Sequence, residues 1–115
     1  MKNKRFELIR KRIKVPLYPN VLIMYLCDDL KEIQQKYDLS DCSNYDAIVF
    51  EHKGFDIVAF SKTKSPDYIA HEASHITNNI FRSIGATLDF DNDEPYCYLL
   101  EWVVKECHKF LEDVK

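Results

Sequence analysis

The sequence predicts a small α+β domain in which a short, mostly antiparallel sheet packs on helices. Three observations predict it: two short apolar runs on either side of a Lys-Gly turn, two longer stretches with helical spacing of apolar residues, and a length of 115 residues. A chain of this length buries roughly two-thirds of its unfolded surface, which is enough for one core without disulfides. We therefore expect residues 1–115 to form a single domain.

The first half of the chain predicts a strand, a short helix and a hairpin. Two prolines bracket a turn before the first strand, and Asp28 or Asp29 caps the helix. The Lys53-Gly54 pair favours an antiparallel hairpin between the next two strands. The predicted elements are, in order, a strand at 21–26, a helix at 30–37, and strands at 46–51 and 55–61.

The second half predicts two longer helices. The tripeptide Ser-Pro-Asp at 65–67 is typical of a helix start, because it offers a capping hydroxyl, a proline where no N–H is needed and an acid near the positive end. This helix runs to about residue 83 and ends at Gly85. Pro95 opens the last helix, which continues to about residue 113. On the last helix, one apolar stripe is expected to face the protein core. Its residues are Cys97, Leu100, Val104, Cys107 and Leu111.

The basic residues are concentrated in the N-terminal arm, residues 1–14. The arm holds seven basic residues and one acidic residue, so the rest of the chain carries a net charge of −9 within an overall −3. Because apolar residues are interleaved with the basic ones, we interpret the arm as a solvated amphipathic segment and do not expect a nucleic-acid partner. Nucleic-acid binding by the arm would weaken steeply with salt.

Nothing in the sequence predicts export or insertion into a membrane. The longest apolar run, at 21–27, has seven residues, whereas a membrane span needs about 18. No apolar segment of a signal peptide follows the basic N-terminus, and the four cysteines form no Cys-x-x-Cys pair. We therefore expect a cytoplasmic protein with reduced thiols and no membrane partner.

The middle helix contains an H-E-x-x-H motif, His71-Glu72-Ala73-Ser74-His75. Helical spacing places the two histidines about 40° apart and one turn apart on one face. There two imidazoles can hold one metal ion at about 2.0–2.1 Å. Glu72 lies at the edge of that face, where it can take a proton from a metal-bound water whose pKa zinc lowers towards about 7. The alternative is two surface histidines on an amphipathic helix.

A catalytic zinc needs a third protein ligand and an open position for water. Glu94 and Glu101 are the candidates on the last helix. We favour Glu94, because the 18 residues between His75 and Glu94 suffice to finish one helix, turn back and begin another. Tyr98, one turn after Glu94, is a candidate hydrogen-bond donor to the oxyanion of the tetrahedral intermediate.

The motif and the segment at 91–100, Asp-Asn-Asp-Glu-Pro-Tyr-Cys-Tyr-Leu-Leu, together resemble the gluzincin-type zinc metallopeptidases. The sequence looks most like the minimal, single-domain (minigluzincin-like) members and the short metallopeptidase-like proteins that phages and prophages encode. The resemblance implies a zincin-like fold in which the last helix is a glutamate helix. It further implies His71, His75 and Glu94 as Zn²⁺ ligands and Glu72 as general base, with an extended peptide lying along the strand at 55–61.

The sequence therefore predicts a zinc-dependent metallopeptidase that acts on a peptide or protein substrate. It offers no second lobe to build a deep cleft, which leaves the substrate undefined. The alternative is a non-catalytic or highly specific regulatory metal-binding module of a mobile element. A Glu72→Gln variant separates the two, because a peptidase loses cleavage while it keeps its metal. The phage resemblance places the protein in the host cytoplasm.

Overall fold

The computed structural model describes residues 8–42, 44–61 and 66–113, which form an α+β fold with a four-stranded mixed sheet and three helices. The predictions for residues 1–7 of the N-terminal arm and for the Ser65 cap lie outside these residues. The strands are β1 (Ile9–Lys14), β2 (Val21–Cys27), β3 (Ala47–His52) and β4 (Phe55–Ser61). The helices are α1 (Lys31–Tyr37), α2 (Pro66–Ser83) and α3 (Glu94–Asp113).

The strand order in the sheet is β1-β2-β4-β3, so β2 and β4 are interior and β1 and β3 are the edges. The β1–β2 and β3–β4 pairs are antiparallel, and β2 and β4 run parallel. The predicted hairpin is confirmed: His52 pairs with Phe55 across a two-residue turn. Both turn residues, Lys53 and Gly54, have positive φ angles of 51° and 85°, which match the twist of the flanking strands.

Strand β1 is an element that the sequence analysis left unassigned within the N-terminal arm. Its side chains alternate between half-buried and exposed along the strand. Ile9 and Ile13 pack against the core, whereas Arg10 and Arg12 are exposed. Charged residues on an edge strand discourage pairing with other chains. The part of the arm at 9–14 is therefore a sheet edge and not a separate amphipathic segment.

The sheet is covered on both faces, which explains why β2 and β4 are nearly continuous apolar runs. One face carries Leu22, Met24, Val58 and Phe60 and packs on α2 and α3. The other face carries Ile23, Tyr25, Ile57 and Ala59 and packs on α1 and the segment that follows it. This arrangement holds α2 against the sheet beside β3 and β4, with its opposite side in solvent.

The core-facing side of α3 differs from the predicted stripe. Cys107 and Leu111 are buried as expected, but Cys97 is exposed and Leu100 and Val104 are only half-buried. The fully buried positions of α3 are Leu99, Val103, Glu106, Cys107, Phe110 and Leu111. The helix is thus rotated so that Leu99 and Val103 face the sheet, and this rotation decides where the other side chains of α3 point.

Candidate active site

The two histidines of the motif lie together on the exposed side of α2. The helix buries Ile69, Ala73, Ile76 and Ile80 against the sheet, which turns His71 and His75 towards solvent. Their Nε2 atoms are 3.2 Å apart, and their ring centroids are 4.8 Å apart. The prediction that the two imidazoles share one face is confirmed.

A separation of 3.2 Å between the two Nε2 atoms fits a shared metal ion. With two bonds of about 2.0–2.1 Å, this separation corresponds to an N–Zn–N angle of about 100–106°, close to the tetrahedral value. The same separation also fits a hydrogen bond in which one ring donates to the other. In both cases the nitrogen concerned is Nε2 of each ring.

Glu72 lies beside this pair but is buried, with 7% of its surface exposed. Its carboxyl group makes no hydrogen bond or ion pair within the part of the chain that the structure describes. Burial raises the pKa of Glu72 above its ordinary value of 4.5, and the charge of His71 acts in the opposite direction. A carboxylate with a raised pKa is a better proton acceptor near neutral pH, so the environment suits a general base.

A groove separates α2 from the edge strand β3, and the three motif residues line it. One cavity in the groove, of about 350 Å³, is bounded by His71, Glu72 and His75 on the helix side. A second cavity of about 440 Å³ continues past His71 and Glu72 towards the first turn of α2. The strand side of both cavities is formed by residues from 44 to 49.

The strand that accompanies this groove is β3, not the strand at 55–61 that the family resemblance implied as a peptide-binding edge. Strand β4 is hydrogen-bonded on both sides, to β2 and to β3, so it has no free edge. The outer edge of β3 is the sheet edge beside α2. This expectation was therefore wrong, because the parallel pairing of β2 with β4 places β4 in the interior.

Glu94 begins α3 but does not join the histidines. Its neighbour Tyr96 donates a hydrogen bond from its hydroxyl to Oδ1 of Asn78 at 2.7 Å. Because Asn78 is three residues after His75, this contact places the first turn of α3 about one helical turn beyond the pair. Among the described residues, no three His, Cys, Asp or Glu side chains are grouped so that they could hold a metal ion. Glu94 as third ligand stays a prediction.

The other two candidates on α3, Glu101 and Tyr98, are both exposed. Tyr98 is 67% exposed and borders a separate, apolar cavity of about 280 Å³ with Trp102 and residues 16–18 of the β1–β2 turn. The rotation of α3 that buries Leu99 directs Tyr98 to that turn, so the structure does not bring this hydroxyl to the motif.

Several residues of the groove were missed by sequence reasoning. Tyr45, Asp46 and Ile48 were not considered as site residues, because the neighbour of α2 in the sheet depends on long-range pairing. One signal was present in the sequence: β3 ends in Glu51 and His52, whereas β4 is apolar along most of its length. The more polar strand of a hairpin is the better candidate for an edge.

Comparison of the chain with protein-family models, with curated proteins and with solved structures finds no match. The case for a function therefore depends on the residues and their geometry. No helix among the described residues is long and apolar enough to cross a lipid bilayer.

Proposed function

We propose that the protein is a zinc-dependent metallopeptidase with a zincin-like arrangement of sheet, H-E-x-x-H helix and glutamate helix. The observation that carries the proposal is the 3.2 Å separation of the Nε2 atoms of His71 and His75 beside Glu72, a buried residue whose carboxyl group makes no hydrogen bond or ion pair with the described residues. All three groups open into one groove next to a sheet edge. An amphipathic helix with two surface histidines would not require a buried glutamate between them.

The histidines of the motif would bind the metal ion, and its glutamate would transfer the proton. His71 and His75 would hold Zn²⁺ through Nε2, and Glu94 would complete the set of protein ligands. Zinc supplies Lewis acidity when bound, which lowers the pKa of water to about 7 and polarises a carbonyl group. Glu72 would accept the proton of the attacking water at its carboxylate and deliver it to the leaving amine. The burial that raises its pKa favours the first of these steps, acceptance of the proton.

The edge of β3 gives the groove a way to hold a peptide. An edge strand presents N–H and C=O groups that can pair with an extended peptide, which would then lie along the sheet beside α2. The backbone would supply affinity independent of sequence, and side chains of the peptide would alternate between the groove and solvent. A scissile bond near the middle of such a peptide would pass the two histidines.

The first experiment is the zinc content of the purified protein, measured per chain after reconstitution and dialysis. We expect one zinc per chain in the wild type, loss of zinc in His75→Ala, and loss in Glu94→Ala with retention in the matched variant Glu101→Ala. Absence of zinc from the reconstituted wild type would refute the proposal. Loss with Glu101→Ala instead of Glu94→Ala would keep the chemistry and change the ligand.

The second experiment separates a peptidase from a metal-binding module. A peptide mixture is incubated with zinc-loaded wild type and with Glu72→Gln, and new termini are identified by mass spectrometry. We expect cleavage by the wild type only, with equal zinc in both proteins. Equal zinc and no cleavage by either protein would favour the regulatory, non-catalytic alternative.

A further inference from the structure

The groove has an acidic end, which we define as the cavity of about 440 Å³ next to the first turn of α2. His71 lines both this cavity and the neighbouring one of about 350 Å³. His75 and Asn79 line only the neighbouring cavity. The volume of the acidic end falls within the range of about 300–1,000 Å³ that is usual for ligand pockets. The residues that line it are Asn44, Tyr45, Asp46, Ala47, Asp67, Tyr68, His71 and Glu72.

The described residues that line this cavity are acidic or uncharged apart from His71. Three of them carry carboxyl groups, Asp46, Asp67 and Glu72, and none of these described residues is a lysine or arginine. Glu72 is more than nine-tenths buried and its carboxyl group has no hydrogen-bond or ion-pair partner among the described residues. A carboxylate that has little solvent around it and no protein partner is stabilised by a nearby cation. The cavity therefore favours a positively charged occupant.

Two tyrosines at the rim suit the same occupant. Tyr45 is 59% exposed and Tyr68 is 39% exposed, so both rings present apolar surface at the mouth of the cavity. The hydroxyl of Tyr68 donates to the carboxylate of Asp46, which raises the pKa of Tyr68. This bond joins the first turn of α2 to the residue before β3. A long aliphatic stem beside aromatic rings, with a cationic head at a carboxylate, is the way lysine and arginine are bound.

We infer that the acidic end of the groove is a specificity subsite that binds the side chain of a lysine or arginine in the substrate peptide, close to the bond that is cut. The inference rests on the proposed peptidase function. Asp46 is the specificity-determining residue, Tyr68 positions its carboxylate, and Tyr45 covers the stem. Substrates with a basic residue at one fixed position from the scissile bond are then preferred, since charge-assisted contacts discriminate by about ten- to a hundredfold.

The experiment combines a change in the substrate with a change in the protein. Cleavage sites in a proteome-derived peptide mixture are sequenced, and the best-cleaved peptide is resynthesised with norleucine in place of lysine, or citrulline in place of arginine. For the wild type, we expect kcat/KM to fall at least tenfold with the neutral residue. For Asp46→Asn, which keeps an oxygen to accept from Tyr68, we expect the two peptides to differ by less than threefold.

The matched control is Asp91→Asn, which removes the same charge from the loop at the opposite end of α2. It should keep the full tenfold preference, and Tyr68→Phe should lose part of it. Cleavage without enrichment of basic residues at any position, or an unchanged preference in Asp46→Asn, would overturn the subsite while the peptidase stands. No cleavage of any peptide by the zinc-loaded wild type would overturn both. Thermal unfolding of each variant verifies that it is folded.

Discussion

The contact between Tyr96 and Asn78 offers a direct test of how α3 is placed against α2. The hydroxyl of Tyr96 is 2.7 Å from Oδ1 of Asn78. The ring of Tyr96 packs edge-on against the ring of Phe81, with 5.4 Å between the ring centroids. A Tyr96→Phe substitution removes the hydrogen bond and leaves the ring in place. The comparison therefore isolates one polar interaction between the two helices that carry the candidate ligands.

The expected cost is modest, because the bond is not fully buried. A hydrogen bond contributes about 0.5–1.5 kcal/mol net, and the exposure of Asn78 favours the lower half of that range. We therefore expect Tyr96→Phe to lower the free energy of unfolding by about 0.5–1 kcal/mol. With a urea m-value of about 1–3 kcal/mol/M, the midpoint of unfolding should fall by about 0.2–1 M.

The measurement is equilibrium urea unfolding monitored by circular dichroism, with Tyr98→Phe as the matched control. Tyr98 lies two residues further along α3, is 67% exposed and makes no hydrogen bond among the described residues. Its variant should unfold within about 0.3 kcal/mol of the wild type, as most surface substitutions do. Equal losses in the two variants, or no loss in Tyr96→Phe, would refute this placement of α3.

Three further predictions concern other parts of the molecule. Burial raises the pKa of Asp56 above its ordinary value of 3.8, so the folded state keeps a proton that the unfolded state releases. The free energy of unfolding should therefore fall as pH rises from about 3.8 through the folded-state pKa, and Asp56→Asn should flatten that part of the profile measured by urea unfolding. Cys97 is exposed, whereas Cys27, Cys42 and Cys107 are buried. Burial raises the pKa of Cys27 and Cys107 to about 12, and desolvation with the charges of Asp93 and Glu94 also raises the pKa of Cys97, so access to the reagent is what distinguishes Cys97. A thiol reagent should thus label Cys97 first in the folded protein, and a Cys97→Ser variant that keeps the fast phase would contradict this. EDTA should remove zinc from the zinc-loaded protein without loss of the far-ultraviolet dichroism signal, because the proposed ligands His71, His75 and Glu94 are exposed. Unfolding on chelation would indicate a structural zinc.

Local signals in the sequence predicted most of the elements. The hairpin of β3 and β4, the start of α2 near Pro66 and the start of α3 near Pro95 all follow from turn and capping residues. The exposed histidines follow from the apolar stripe on the other side of α2. These features depend on residues that are close in the chain, which is why a single sequence suffices to predict them.

Long-range packing decided the parts that the sequence did not predict. Two of the three strand pairs are antiparallel, as predicted, but the parallel pairing of β2 with β4 makes the sheet mixed. This pairing also gives β3 the free edge beside the motif. The rotation of α3 buries Leu99 and Val103 in place of the predicted stripe, and it turns Tyr98 away from the histidines. The burial of Glu72 depends on how α2 inclines towards β3, which helical periodicity alone does not specify.

The sequence predicts Glu94 beside the two histidines, whereas the structure places the first turn of α3 about one helical turn beyond them. We propose that zinc binding draws this turn towards the histidines. An exposed hydrogen bond and one aromatic pair join the first turn of α3 to α2, and together they contribute about 1–2.5 kcal/mol. Structural zinc sites with four ligands bind with about 10–16 kcal/mol, or about 2.5–4 kcal/mol per ligand, so one ligand is enough to shift a terminal turn. We expect zinc to slow amide hydrogen exchange in the first turn of α3, and we expect Glu94→Ala but not Glu101→Ala to abolish this effect. Slower exchange confined to α2 would instead mean that the two histidines bind zinc without α3.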